Sequence, residues 1–515
     1  MKKKNAYNPI FPSFEYIPDG EPHVFGNRVY LYGSHDRFNG GLFCLNDYVC
    51  YSASVNDLTD WRYEGVIYKA SEDFRYQDSK ETKKNTQMSE GIDSLSLVLD
   101  EYSVNEEGSH ALYAPDVVKG NDGKYYLYYC FDCLPEIGVA VSDSPSGEYR
   151  FLGLVKHKDG SILGQGVDDL FQFDPGIFID EDKKIYLYSG NAPITKERMN
   201  IKQGSQVMEL EADMLTLKSK PKRLLPDICE SQGTGFEGHE FFEASSIRKI
   251  NGLYYLVYSS INSHELNYAI SQFPDKDYEY GGTLVDIADI YLNNRQLENA
   301  VNCLGNTHGG IEKIGESWYI FYHRQTNRTN FSRQACAEKI EFDSVGKIKQ
   351  VEVSSQGLHG QALEGRGKYP ANICCHLTGK NESSIHSHPL EMKMDYPYLT
   401  QDIPDCDYTE ELEQKDLKNP IQYIKNLHDE SIVGYKYFNF QNIGEISLEI
   451  RGDFTGKVEI FNDLDNRIIE EKELNFKNKN WTNYNFKITE ISGEKALYFK
   501  FKGKGTLDFR SFRLE

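Results

Sequence analysis

A chain of 515 residues with 57 Lys+Arg against 79 Asp+Glu carries a formal net charge of −22. That acidity argues against nucleic acid, which needs a cationic face for phosphate, and against anionic membrane surfaces. The length suits two or three domains, and 39% apolar with 26% charged residues is the balance of an ordinary folded protein rather than a disordered one.

The start, Met1-Lys2-Lys3-Lys4-Asn5-Ala6-Tyr7-Asn8-Pro9, is basic but no apolar stretch of about 7–15 residues follows, so no secretory leader is read and a cytoplasmic location is expected. No run approaches the roughly 18 apolar residues of a membrane span. Ten scattered cysteines then read as reduced thiols. Cys130-Phe131-Asp132-Cys133 is a lone CxxC without the second pair a zinc site needs.

One aromatic strand signal recurs in chain order, as Arg28-Val29-Tyr30-Leu31-Tyr32, Tyr125-Tyr126-Leu127-Tyr128-Tyr129, Ile185-Tyr186-Leu187-Tyr188, Leu253-Tyr254-Tyr255-Leu256-Val257-Tyr258 and Trp318-Tyr319-Ile320-Phe321-Tyr322. Each follows a polar turn and, before it, a second short apolar strand. The interval is roughly 60–70 residues apart from a longer first one, close to what a four-stranded blade with its loops requires. A small sheet cannot bury both faces alone, so the repeats predict five blades stacked radially, a five-bladed β-propeller. The long first interval holds a polar insertion, Ala70 to Asn105, expected as a surface loop or lid.

Ten to twelve residues before the anchors Tyr30, Tyr126, Tyr186, Tyr255 and Tyr319 stand Asp19, Asp116, Asp174, Glu243 and His308. Innermost propeller strands run along a common axis, so these residues are expected to converge at one mouth of the channel. Clustered carboxylates raise one another's pKa and cost stability unless they bind a cation, are hydrogen-bonded or do chemistry. Two carboxyls flanking a sugar, one protonated and one ionised, are the machinery of glycoside hydrolysis. Apolar neighbours in Phe241-Phe242-Glu243-Ala244 favour Glu243 as the protonated member.

Other motifs carry less. Ser34-His35-Asp36 holds the residue types of a nucleophilic triad, but neighbours on a strand face opposite ways; His35 or Asp36 is left as a candidate pocket wall. His239-Glu240-Phe241-Phe242-Glu243 is not HExxH, and no Walker loop or GxGxxG after a strand exists.

Residues 351–394 read as a connecting segment packed on a 1–350 propeller, and 395–515 as a β-sandwich, from alternation such as Glu445-Ile446-Ser447-Leu448-Glu449-Ile450 and Leu507-Asp508-Phe509-Arg510-Ser511-Phe512. Trp481 is either a stacking platform for sugar or a core residue.

In order along the chain, Asp19-Gly20-Glu21-Pro22-His23-Val24-Phe25, Tyr113-Ala114-Pro115-Asp116, Phe173-Asp174-Pro175-Gly176, Phe242-Glu243-Ala244-Ser245 and Asn306-Thr307-His308-Gly309-Gly310 resemble the blade motifs of glycoside hydrolase family 43. The resemblance covers about residues 8–350. It implies an inverting hydrolase of xylose- or arabinose-containing oligosaccharides, with Asp19 as general base, Asp174 tuning the acid and Glu243 as general acid. Glu21 is a rival to Asp19, because Asp-Gly-Glu-Pro stands where the family often has Asp-Pro. Asp116, His35, His308 and Arg333 are expected to bind substrate, Arg333 either there or as a surface ion pair. No cofactor is required, with calcium as an optional ion touched by His308 through water. The ending resembles family 6 carbohydrate-binding modules, which bind sugar or brace the catalytic domain. Two rival readings are a non-catalytic sugar-binding propeller and a retaining fructosidase-like one; the second lacks its Trp-x-Asn-Asp-Pro and Arg-Asp-Pro motifs here.

Overall fold

A computed structural model describes residues 7–40, 42–77, 110–132, 134–193, 196, 203–380, 396–402, 421–462 and 468–515. Four antiparallel four-stranded meanders and a three-stranded one follow one another. The first is β1 (Glu21–Phe25), β2 (Arg28–Tyr32), β3 (Tyr48–Ser54) and β4 (Asp57–Tyr68). The second is β5 (Asp116–Lys119), β6 (Tyr125–Cys130), β7 (Ile137–Ser142) and β8 (Arg150–Leu154). The third is β9 (Gly176–Ile179), β10 (Ile185–Ser189), β11 (Gln206–Leu210) and β12 (Lys222–Arg223). The fourth is β13 (Phe241–Ile250), β14 (Leu253–Ser260), β15 (Glu265–Ser271) and β16 (Glu279–Asp286). The last is β17 (Ile311–Ile314), β18 (Ser317–Gln325) and β19 (Arg333–Ile340). Together they are the five blades of a propeller.

The repeated tyrosines explain the stacking. Tyr32, Tyr128 and Tyr188, one on each second strand of the first three blades, are fully buried, so each hydroxyl needs a partner. Each finds a carbonyl farther along the chain: Tyr32 on Pro145, Tyr128 on Met214 and Tyr188 on Pro274, at 2.7, 2.6 and 2.7 Å. Met214 follows β11 and Pro274 follows β15, so these two bonds tie one blade to the next. Five apolar clusters have the same logic, each gathering side chains from two adjoining blades, as where Tyr30 and Tyr32 meet Tyr125 and Leu127. The ring closes where Ile10 N–H donates to the Ala335 carbonyl and the Asn8 amide exchanges hydrogen bonds with Ala337 on β19.

Residues 78–105 of the polar insertion lie outside those described; Ala70–Glu72 and Phe74–Gln77 at its start are short 3-10 turns. The C-terminal part is one strongly folded sheet of seven strands, β20 (Leu363–Glu364), β21 (Gly367–Pro370), β22 (His376–Thr378), β23 (Tyr398–Thr400), β24 (Tyr423–Leu427), β25 (Ile432–Phe461) and β26 (Ile468–Leu514). β26 doubles back so that Leu448 of β25 faces both Tyr484 and Phe512, and the apolar side chains enclosed form their own core. Residues 363–378, within the stretch expected to be a connection, supply three short strands to this sheet. The sheet is joined to the propeller by Lys436, whose buried ammonium lies 2.9 Å from Asp289 and 2.8 Å from Glu352. A buried charge held this way costs several kcal/mol to unpair, which fixes the two parts together.

Candidate active site

Side chains one level above the first strands of the blades enclose a cavity of about 570 Å³. Asp19, Asp174, Glu243, His308 and Arg333 all line it, with Phe43, Tyr113, Phe173 and Phe242 as aromatic wall. The backbone there is bent on purpose-built turns. Asp19 and Asp174 sit at φ 57° and 41°, and Ala244, next to Glu243, at 70°. Left-handed conformations at non-glycine residues store strain and cluster where geometry serves function. β13 adds a bulge between Phe241 and Ser246, which re-aims Glu243.

Two expected pocket residues lie elsewhere. Tyr30, Tyr186 and Tyr319 pair with His23, Phe178 and Glu312, and Asp19, Asp174 and His308 each stand four residues before those partners. Glu243 keeps that level through the extra residue of its bulge. Tyr126 pairs with Val118, only two residues after Asp116. Asp116 is thus one pleat deeper, about 6–7 Å down the axis, and the pocket position of its blade is Ala114. Counting from the tyrosine alone hid this, because a shift of two leaves the side chain on the same face. His35 is also turned away: its Nδ1 lies 2.9 Å from the Asp47 carbonyl and its Nε2 3.4 Å from Glu15. Its neighbour Asp36 grips Arg333 instead, accepting from Nε at 2.8 Å and from Nη2 at 3.0 Å.

Arg333 is therefore no surface residue. Held by Asp36 and lying 4.6 Å over the Phe43 ring, it donates from Nη1 to Asp19 Oδ1 at 3.0 Å. Burial is the largest influence on Asp19 and would raise its pKa, but the Arg333 guanidinium, with smaller contributions from His323, His308 and Ser34, outweighs it in sum, and Asp19 ends below the usual carboxylate range. Across the cavity the balance reverses. Burial, reinforced by the Asp19 charge, lifts Glu243 to about 7. Burial with the Glu243 and Asp19 charges lifts Asp174 well above its ordinary value. The Glu243 charge acts on Asp174, so the two titrate as a coupled pair. His308 lies between layers, Nδ1 3.5 Å from Asp174 and Nε2 3.9 Å from Glu21; burial drives its pKa to about 4, so the ring is neutral near pH 7.

The deeper layer is a second polar cluster. Asp116 accepts from His23 at 2.7 Å and from the amides of Val117 and Ile177, each 2.7 Å, the last belonging to the next blade. Glu21 Oε2 accepts from Ser246 Oγ at 2.9 Å and faces Arg248 at 3.5 Å. A Cβ on Gly310 would come within 2.7 Å of Glu21, so only glycine lets the carboxylate reach the axis. Ligand atoms of Glu21, His23 and Asp116 lie within 4.8 Å of one another, and Glu21 Oε1 is buried with no hydrogen-bond partner among the described residues. An oxygen-rich set with one orphaned carboxylate oxygen fits a hard cation such as calcium.

Sequence reasoning missed several wall residues. Asn330 lines the cavity with a buried Oδ1 that has no hydrogen-bond partner among the described residues. His264 lines it too, its Nδ1 2.6 Å from Asp286 Oδ2. Cys44 places its thiol 3.2 Å from Arg333. All come from loops outside the repeated strand pair, where no period marks them.

The model of the family described as Glycosyl hydrolases family 43 matches residues 91–348, a span that holds Asp174, Glu243, His308 and Arg333 and begins after Asp19. A xylosidase/arabinosidase of Thermoclostridium stercorarium is 41% identical over 515 residues, 99% of each chain, first blade included. The chain belongs to glycoside hydrolase family 43. A β-xylosidase of Xylanibacter ruminicola is 28% identical over 366 residues, covering 66% of this family 43 chain and 98% of its own. Among solved structures, a family 43 arabinoxylan arabinofuranohydrolase from Bacillus subtilis in complex with cellotetraose aligns over 99% of this chain and 98% of its own, at 17% identity and a TM-score of 0.48. As a family 43 member the protein is a glycosidase.

Proposed function

We propose that this glycosidase hydrolyses xylose- or arabinose-containing oligosaccharides with inversion, using Asp19 as base and Glu243 as acid. The observation that carries the reading is the opposed electrostatics within one cavity. Arg333 holds Asp19 as a carboxylate, while burial and the Asp19 charge favour a proton on Glu243. Two carboxyls pushed apart in this way divide the acid and base tasks between them. Asp19 takes a proton from water, and the oxygen of that water bonds to the anomeric carbon on the face opposite the leaving group. Glu243 gives its proton to the glycosidic oxygen as the carbon–oxygen bond breaks. Asp174, electrostatically coupled to Glu243, disfavours a second negative charge beside it and so keeps the acid from ionising early. Asn330, His264 and neutral His308 offer hydrogen bonds to sugar hydroxyls, and the aromatic walls offer faces to sugar rings.

The sugar preference follows the relatives' activities, and the 570 Å³ cavity suits a short saccharide. A cytoplasmic site of action agrees with the free thiols among the described residues. A calcium ion would be held by Glu21, with Asp116, His23 and, through water, His308. It would supply positive charge beneath the pocket, without touching the reacting bond. Turnover of nitrophenyl β-xyloside and α-arabinofuranoside tests the substrate class, with cleavage of at least one expected. NMR of the first-formed anomer tests the stereochemistry: a product that keeps the substrate's configuration would remove Asp19 from the role of base.

A further inference from the structure

Glu243 has one side-chain hydrogen-bond partner among the described residues, and it lies outside the cavity wall. Asn191 Nδ2 donates to Glu243 Oε2 at 3.0 Å, and Gln203 Nε2 donates to Asn191 Oδ1 at 2.5 Å. The two amides stand on facing ends of β10 and β11, where the Gly204 amide donates to the Asn191 carbonyl at 2.8 Å. The approach is close enough that a Cβ on Gly190 would lie 2.0 Å from the Gly204 carbonyl oxygen. A side-chain amide has two distinct ends, a donor nitrogen and an acceptor oxygen. With Gln203 donating to Oδ1, Asn191 has only its nitrogen to offer Glu243, and an N–H donor prefers the carbonyl-type oxygen of a carboxylic acid.

We propose that Asn191, kept in one orientation by Gln203, is the positioning residue of the acid: it holds Oε2 as the accepting oxygen, so that the transferable proton resides on Oε1. This rests on Glu243 being the acid. In the reaction Oε1–H breaks, its proton joins the leaving oxygen, and the charge left on the carboxylate is met at Oε2 by the Asn191 amide, which strengthens as charge develops. The remaining charged groups facing Glu243, namely Asp19, Asp174 and Arg333, are unchanged by removing the amide.

The test uses the full chain and two aryl glycosides of whichever sugar it cleaves, one with a 2,4-dinitrophenyl leaving group, which departs unprotonated, and one with phenol, which needs the acid. Asn191→Leu is expected to slow the phenyl glycoside about 10–100-fold and the dinitrophenyl glycoside less than about 3-fold. It is also expected to move the basic limb of kcat/KM to higher pH, because the hydrogen bond that stabilised the carboxylate is gone. Gln203→Leu repeats the pattern at smaller amplitude and carries the test if Asn191→Leu does not fold. Equal slowing of both substrates, or a basic limb that stays in place, overturns the proposal. Glu243→Gln, run alongside, must itself spare the dinitrophenyl glycoside; if it does not, Glu243 is not the acid and both readings fall.

Discussion

The propeller axis carries two acidic layers built from the same residue types, and they have opposite fates. In the upper layer Asp19, Asp174 and Glu243 meet a cavity, and among the described residues only Asp19 is paired with an arginine or lysine. In the lower layer Asp116 spends both oxygens on amides and His23, and Glu21 is pressed against Ser246 and Arg248. The lower pair is tied across blades by these contacts, with Glu21 lifted to about 8 by burial and the Asp116 charge; the upper ones face the cavity with proton affinities that differ across a few ångströms. Circular symmetry therefore delivers carboxylates to an axis without making a catalyst. Solvent access and one asymmetrically placed arginine do that.

The largest effect separating the layers is on turnover. Glu243→Gln keeps the shape and removes the proton donor, so kcat on unactivated glycosides is expected to fall about 10²–10⁴-fold with the fold intact. Glu21→Gln is expected to change kcat by less than about tenfold. Steady-state kinetics on both variants decide between Asp19 and its rival: an equally severe loss in Glu21→Gln would break the distinction drawn between the layers.

Arg333→Met comes next. It leaves Asp19 and Asp36 buried without their cation, and unpairing a buried charge costs about 3–5 kcal/mol. A clear drop in Tm is expected, and in the folded fraction the acid limb of the pH–rate profile moves up as Asp19 loses the group that held its pKa down. A fixed acid limb would mean that Asp19 is not the ionised partner.

The basic limb should fall as pH rises through about 7, where Glu243 loses its proton. The same shift has a stability consequence of smaller size. Because the folded pKa of Glu243 lies above its ordinary value of 4.5, the folded state binds more protons, and stability falls as pH rises from about 4.5 to about 7. Glu243→Gln abolishes that loss. Its Tm should exceed the parent's at pH 7.5 and match it near pH 4, a trade of stability for function readable by calorimetry.

Much of this was legible from residues alone, and the limits have physical causes. The propeller is legible in tyrosines that recur once per blade, at roughly 60–70 residues after a longer first interval, because an aromatic between blades must recur with each blade. The offset from those tyrosines also singles out Asp19, Asp174, Glu243 and His308, which line one cavity. Asp116 was assigned to the wrong layer because a two-residue step preserves the face of a strand and changes only depth, which spacing does not encode. Arg333 stayed ambiguous because its pocket position depends on Asp36, a contact across nearly the whole propeller sequence. Trp481 was expected either in a core or as an open platform. It is partly exposed, with the Arg451 and Arg510 guanidiniums 4.4 and 4.7 Å from its ring and Tyr423 edge-on at 5.1 Å.

The smallest effect concerns the ion. A ligand that binds only the folded state stabilises it by RT ln(1 + [L]/Kd), so millimolar calcium at a modest site yields only about 1–2 kcal/mol. Arg248 already places a positive charge 3.5 Å from Glu21 Oε2, which weakens the attraction for a second cation. The expected result is a rise in Tm of a few degrees on adding calcium, reversed by chelator and absent in Glu21→Gln, with kcat unaltered by either treatment. Loss of turnover on chelation would show that the lower layer reaches the chemistry after all, through His308, the one side chain within 4 Å of both Glu21 and Asp174 among the described ion pairs.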